Sequence, residues 1–597
     1  MPISSPLSGT SSDPAHPSSC GPHGDSICTG ARAKKSCLDD GVSWHWVDET
    51  CPAGSGCVNG ECRVGECSDE CRLGQTNGSG QSCGLLDLAS GNFIPSTPAT
   101  SVADRARAYE KLIHSKAMLG GAVGSPYFSD PPTYQTVTRL GDVYDSALWT
   151  GTYLAAQALR LKATGSPGAR TRVRGLVRTL NLLCNVAGQP GLLSRFALKS
   201  ADVATAPLAA NDKDCTREHI HCDVPYGDTT YMVLGHISRD MYQGVMLGYA
   251  LAYEALGDDD EELRELIRQD VVELAEQLMF ERDLPVDLTV NGVELPRMTV
   301  KMRFAVAAPW EFRGGAAYMA VDTSAQEGEM WGFQEFIPDL YDIIDQAKAQ
   351  LPDFLASLLP TAPIPRPGSA IMLAAAFQVA LLVTRDQPAW ADKRNAILDF
   401  YLHNTGRGGN IDNWLDIADL WQSNSDCGEA YYANNIMMEP LYNLARLDTD
   451  PGRSARVLGL FKNTIWPKFE KTKNAFFSFI YAGTVPGVPA TVATGAATQV
   501  SQFPVPPLYR RPVDLRADAR FMPHANGCTD QANHDTAIDV GERPVRTFLW
   551  QHHPWTLYDP GDAADAQPGV DFLVAYWMGR YHGFINDDRA GKCLAWH

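Results

Sequence analysis

The stretch that decides the fold is DSALWTGTYLAAQALRLKAT, Asp145 to Thr164, followed at once by Gly165-Ser-Pro-Gly168. Trp149, Tyr153, Ala156 and Leu159 recur at the three-to-four-residue interval of a helix with one buried face. Glycine ends that helix, and proline starts the next. Thr171–Val186 then reads as a partner running back. The same pattern returns three times. Asp240–Leu256 and Glu261–Phe280 flank the turn Gly257-Asp-Asp-Asp260. Ile371–Thr384 and Asp392–His403 flank Arg385-Asp-Gln-Pro388. Glu429–Leu447 and Arg453–Phe469 flank Asp448-Thr-Asp-Pro-Gly452. Four helical hairpins predict a mainly α chain.

Ala103–Met118 reads as a helix before the series. Val570–Ile585 reads as a last helix that closes a ring. The turns begin 92, 128 and 63 residues apart, at Gly165, Gly257, Arg385 and Asp448. Open solenoids repeat at short fixed periods. Long insertions fit a closed toroid whose loops build a cleft at one end. Asp287–Phe304 carries Asn291-Gly292 between alternating apolar runs, which predicts a small β-hairpin insertion. Residues 485–570 lose helical periodicity and are rich in proline, so an irregular excursion is expected there, inside a domain spanning 84–597.

Nine of the 15 cysteines fall between Cys20 and Cys83. That density predicts a disulfide-rich module over 20–83, in an oxidising compartment, after a disordered leader at 1–19. A secreted or cell-envelope location follows, with the module available to dock an envelope partner. No signal peptide is visible, because residues 1–19 lack a positive start and an apolar run. Cys215 and Cys222 are placed to close one loop, and Cys528 and Cys593 to staple the tail. No run of 18 apolar residues predicts a transmembrane helix. A net charge of −20 argues against nucleic acid as partner. Phosphate loops of the GxxxxGK[ST] type, GxGxxG after a strand and HExxH are all absent from the sequence.

Four segments, Asp145-Ser-Ala-Leu-Trp149-Thr-Gly-Thr-Tyr153, Gly191-Leu-Leu-Ser-Arg195, His236-Ile-Ser-Arg-Asp240 and Tyr432-Ala-Asn-Asn435, sit in a hairpin series that resembles the six-hairpin (α/α) toroids. These include glycoside hydrolases and polysaccharide lyases, and the resemblance spans roughly residues 100–480. It is a likeness of fold, from which function follows only by analogy. It implies that inner helices aim their N-termini into one cleft. Asp145 and Asp240 then stand as general acid and base or nucleophile, with His236 beside them. Arg195 and Arg239 would position a poly- or oligosaccharide. Trp149, Tyr242 and Trp414 would add aromatic and hydroxyl contacts. In a lyase, His236 or Tyr242 would take the proton α to a uronate carboxylate that Arg195 neutralises. The plainer roles are helix capping for the aspartates, an ion pair for Arg195 and core packing for the tryptophans.

His219-Ile-His221 lies between Cys215 and Cys222 and offers two ligands for Zn²⁺. Acidic runs at 258–262 and 559–562 offer oxygens for Ca²⁺. Beyond such a divalent metal, no cofactor is expected. The expectation is an exported carbohydrate-active enzyme that cleaves glycosidic bonds, as a hydrolase or as a lyase on uronates. The alternative is a non-catalytic envelope or secreted protein that binds a glycan or a protein.

Overall fold

A computed structural model describes residues 101–303, 348–357, 367–403, 410–421 and 433–585, apart from a few single positions, together with Tyr431 and short strands before residue 101, between 310 and 321 and at 592–596. Two compact units result: Arg105–Asp587, and a smaller one that joins Met1–Asp104 to Asp588–His597. The division falls later than the expected residue 84. Cys83–Asp87 is a strand of the smaller unit, and the final strand Lys592–Trp596 pairs with it, Cys593 opposite Leu86. In the same unit Ser26–Cys28, Ala33–Asp39 and Trp44–Thr50 form an antiparallel sheet. The leader and the disulfide framework expected over 20–83 lie outside the described residues.

The larger unit is mainly helical. Its principal helices are α1 (Val102–Lys116), whose first residues fall in the other unit, α2 (Ser146–Thr164), α3 (Pro167–Asn185), α4 (Arg239–Ala255) and α5 (Glu261–Met279). There follow α6 (Pro367–Val383), α7 (Ala391–Leu402), α8 (Asn410–Asp419), α9 (Ala433–Leu447) and α10 (Pro451–Leu460). The last are α11 (Ala475–Thr484), α12 (Ala490–Ser501) and α13 (Val570–Tyr581). All four expected hairpins are present as α2–α3, α4–α5, α6–α7 and α9–α10. The α11–α12 pair was not expected, and α12 stands where an irregular excursion was predicted. Among the described residues no helix is long and apolar enough to cross a membrane.

The turns work as their residues dictate. Gly165 takes φ +66 and its N–H closes α2 on the Leu161 carbonyl at 2.8 Å. Ser166 then caps α3 by accepting from the Ala169 N–H at 3.1 Å, and Pro167 fills the first helical position. Asp450 and Pro451 repeat this at the start of α10.

Helix contacts run in a cycle: α2 on α4, α4 on α6, α6 on α9, α9 on α11, α11 on α13, and α13 back on α2. α3, α7, α10 and α12 each lean on the helix they follow. α4 also reaches across to α9. The tightest crossing is α2 on α4, where three glycines replace side chains. A Cβ on Gly244 would lie 2.3 Å from the Leu148 carbonyl oxygen, and one on Gly248 would lie 2.4 Å from that of Gly151. Only glycine permits that approach.

Two small sheets frame the start of α2 and α4. One orders Val137–Gly141, Ser125–Phe128, Asp562–Gln567 and Leu508–Arg510; the other orders Phe196–Lys199, Thr229–Leu234 and Ile220–Tyr226. The expected β-hairpin is present: Glu281–Val290 pairs with Met298–Arg303, and Val290 faces Val293 across the turn, with Gly292 at φ +78. Cys215 and Cys222 form the expected disulfide. Cys528 is disulfide-bonded as well.

Candidate active site at the starts of α2 and α4

The site begins with Arg195, in the segment between α3 and the strand Phe196–Lys199. Its backbone N–H donates to the Leu234 carbonyl at 2.9 Å, so the strand pairing fixes where its side chain starts. The side chain is 6% exposed. Its Nε donates to the His236 carbonyl at 2.8 Å and its Nη2 to Ser238 Oγ at 3.0 Å. Its Nη1 donates to the Tyr144 carbonyl and, at 3.3 Å, to Asp145 Oδ1. One guanidinium therefore ties the start of α2 to the start of α4. The planar fork of arginine suits this, since it presents several fixed donors at once. Arg195 braces the site, and its donors are committed to that task rather than open to a substrate carboxylate.

Asp145 precedes α2 without capping it by a side-chain hydrogen bond, and Ser238 likewise precedes α4 without capping it. Both side chains are turned to Arg195 instead. Burial raises the Asp145 carboxyl to about 6, Arg195 pulls it back, and the neighbouring Asp240 and Asp142 carboxylates push it further up. With 45% of its side chain open, solvent screening tempers the effect. Asp240, in the first turn of α4, keeps a buried Oδ1 with no hydrogen bond. Asp240 also acts electrostatically on Arg195 and on Asp145, so two carboxylates bear on one guanidinium.

His236 is exposed and sits at φ +58, an uncommon value for a non-glycine residue. His219 faces it, with ring centroids 6.1 Å apart. His219 Nε2 is 3.0 Å from the Tyr144 hydroxyl. Arg239 is half-buried at the start of α4. His221 sits half-buried in the strand Ile220–Tyr226 opposite Val233. Among the described residues no group of three or more His, Cys, Asp or Glu side chains is placed to hold a metal ion.

The other expected binding residues are packed away from this cluster. The Tyr242 hydroxyl donates to the Gly191 carbonyl at 2.9 Å and accepts from the Leu193 N–H at 3.1 Å. Burial holds it well above the usual phenol range. It pins the segment leading to Arg195 and is unsuited to take a proton. Trp149 stacks on Phe548 with centroids 4.5 Å apart. Trp414 is 2% exposed and packs beside Phe377 and Tyr401.

A second polar cluster was missed in the sequence. Glu439, on α9, is 0% exposed. Its Oε2 accepts from Gln243 Nε2 of α4 at 3.2 Å, and its Oε1 has no hydrogen bond. Burial pushes its carboxyl up to about 8, with Asn435 and Gln243 pulling partly back. Asn434 and Asn435 are equally buried. They lie close enough to Tyr431 and Glu439 to bias titration, yet neither side-chain amide makes a hydrogen bond of acceptable geometry. A cavity of about 10 Å³ beside Gln243, lined also by Tyr242, Met372 and Asn443, has room for one water. The signal for this cluster in the sequence is Asn435, Glu439 and Asn443 at intervals of four along α9.

No family, curated protein or solved structure matches this chain.

Proposed function

We propose that the helical hairpins form an (α/α) toroid and that the chain is an exported carbohydrate-active enzyme, hydrolysing glycosidic bonds at the starts of α2 and α4. The contact cycle from α2 through α13 and back to α2 supports the toroid. The observation that carries the chemistry is the pair of carboxylates at one arginine. Asp145, raised to about 6, holds its proton in mildly acidic solution and acts as general acid. Asp240 acts as base toward water, or as nucleophile. His236 and Arg239 flank the substrate, and Arg195 positions both carboxylates.

Hydrolysis is favoured over elimination on two counts. The Tyr242 hydroxyl is locked between Gly191 and Leu193. The donors of Arg195 are held by Tyr144, Asp145, His236 and Ser238, so they do not serve a uronate. Export is supported by the Cys215–Cys222 disulfide and by the cysteine density before residue 84. The cysteine-rich segment is assigned to an envelope partner.

The test is release of soluble fragments from neutral and uronic polysaccharides, with and without EDTA, read by mass spectrometry. Products heavier by one water, abolished in Asp240→Asn, support the reading. Unsaturated products would make it a lyase. Loss with EDTA would bring in a metal. Saturable binding without fragments would make it a glycan-binding protein.

A further inference from the structure

A cavity of about 60 Å³ lies between the strand Leu508–Arg510 and the segment 540–549. Its walls are apolar. Phe503, Leu508, Val540, Val545 and Leu549 line it, each at most 3% exposed. Tyr509, 39% exposed, and half-buried Pro504 carry the lining out to the surface.

The walls are held from behind. The Tyr109 hydroxyl donates to the Pro504 carbonyl at 3.0 Å. Phe503 meets Trp550 and Phe572 edge-on, with centroids 5.5 and 5.2 Å apart. The Val540 N–H donates to Gln499 Oε1 at 2.9 Å, and Leu508 pairs with Gln567 in the sheet. The surrounding core therefore fixes the shape of the space.

One lining residue is charged. Arg511 Nη2 donates to the Gly541 carbonyl and, at 3.2 Å, to that of Arg543. Both carbonyls lie between the wall residues Val540 and Val545, so the guanidinium stands against the same segment that forms the wall. Among the described residues no carboxylate pairs with it, and its Nε and Nη1 make no hydrogen bond. Glu542, which acts on it at longer range, is bonded instead to Arg520 at 3.0 and 2.8 Å. A half-buried cation with spare N–H groups and no acid beside it is matched by an anion. One cation matches one negative charge, and the apolar walls match a hydrocarbon tail. At about 10–15 Å³ for each water-sized group, the cavity takes a chain of roughly four to six such groups.

We propose that this cavity binds a short straight-chain aliphatic carboxylate, its tail between the apolar walls and its carboxylate on Arg511. None of these residues belongs to the cluster at the starts of α2 and α4, so the proposal does not depend on glycoside cleavage.

The experiment is a ligand-observed NMR titration of the full chain at pH 7 with pentanoate, propanoate, pentanol and pentylamine. Pentanoate is expected to saturate one site and to bind roughly fifteenfold more tightly than propanoate, since each buried methylene adds about fourfold. Pentanol and pentylamine are expected to bind at least about tenfold more weakly than pentanoate, because they lack the charge-assisted hydrogen bond. Val540→Leu places one more methylene in the cavity and is expected to weaken pentanoate about fourfold while leaving propanoate unchanged. Arg511→Gln removes the charge and is expected to bind pentanoate no better than pentanol. Should Arg511→Gln fail to fold, the wild-type series and Val540→Leu still decide. No saturation by pentanoate, equal binding of pentanol or pentylamine, pentanoate affinity unchanged in Val540→Leu, or pentanoate affinity retained in folded Arg511→Gln overturns the proposal.

Discussion

Glu439 offers a stability experiment that needs no ligand. Its carboxyl is raised from 4.5 to about 8 in the folded chain. The folded state therefore holds this proton more tightly than the unfolded state, and the stability it contributes is fully present below 4.5 and lost as pH rises toward 8. At about 1.4 kcal/mol per unit, the loss reaches about 3 kcal/mol at pH 7 and about 5 kcal/mol above pH 8. Glutamine has nearly the same shape and does not ionise, so Glu439→Gln should escape that loss. For a unit of this size the thermal midpoint moves by roughly 1 °C per kcal/mol. The variant should melt with the wild type at pH 5 and about 5 °C above it at pH 9. Scanning calorimetry at both pH values measures the difference. An offset that is the same at pH 5 and pH 9, of either sign, would refute the claim that Glu439 is neutral in the fold.

Other expectations are as direct. Gly244→Ala forces a Cβ to within 2.3 Å of backbone at Leu148; it should lower stability by about 3 kcal/mol or prevent folding, and wild-type melting would contradict the close crossing. Arg195→Met leaves buried acceptors at His236, Tyr144 and Ser238 unpaired; denaturant titration should show a loss of roughly 3 kcal/mol, together with loss of fragment release. Ser166→Ala removes the cap of α3 and should cost about 1 kcal/mol by the same titration, with no change in activity. Burial lowers His114 to about 3 and His552 and His582 to about 4. Their contribution is present above 6.5 and lost as pH falls below it, so His552→Asn should flatten the fall in melting temperature between pH 6.5 and 4.

The hairpins were legible because their turns use residues with one structural meaning. Gly165 takes the left-handed conformation, Pro167 and Pro451 start helices, and Asn291-Gly292 turns a β-hairpin, each independent of distant contacts. α11 was not legible, since AFFSFIYAGT is apolar on every side and shows no period. α12 was hidden by its Ala, Thr and Gly content, and it forms by leaning on α11 and α13. At the site, Asp145 and Asp240 could be chosen as carboxylates at helix starts. That one arginine would brace the starts of both helices depends on a strand pairing, Arg195 with Leu234, which no local pattern encodes. Glu439 escaped notice because its importance lies in its complete burial, a property of the assembled core.

The pairing of Cys83–Asp87 with Lys592–Trp596 joins segments roughly 500 residues apart, the far end of the contact-order range. A chain made from its N-terminus cannot complete this ladder until the helices that lie between the two strands have been synthesised. Until then the Cys83–Asp87 strand lacks its partner along one edge, an opening that invites pairing with another nascent chain. The order of manufacture thus completes this ladder only after the helices, and loss of Lys592–Trp596 should show first as self-association rather than as unfolding of the helices.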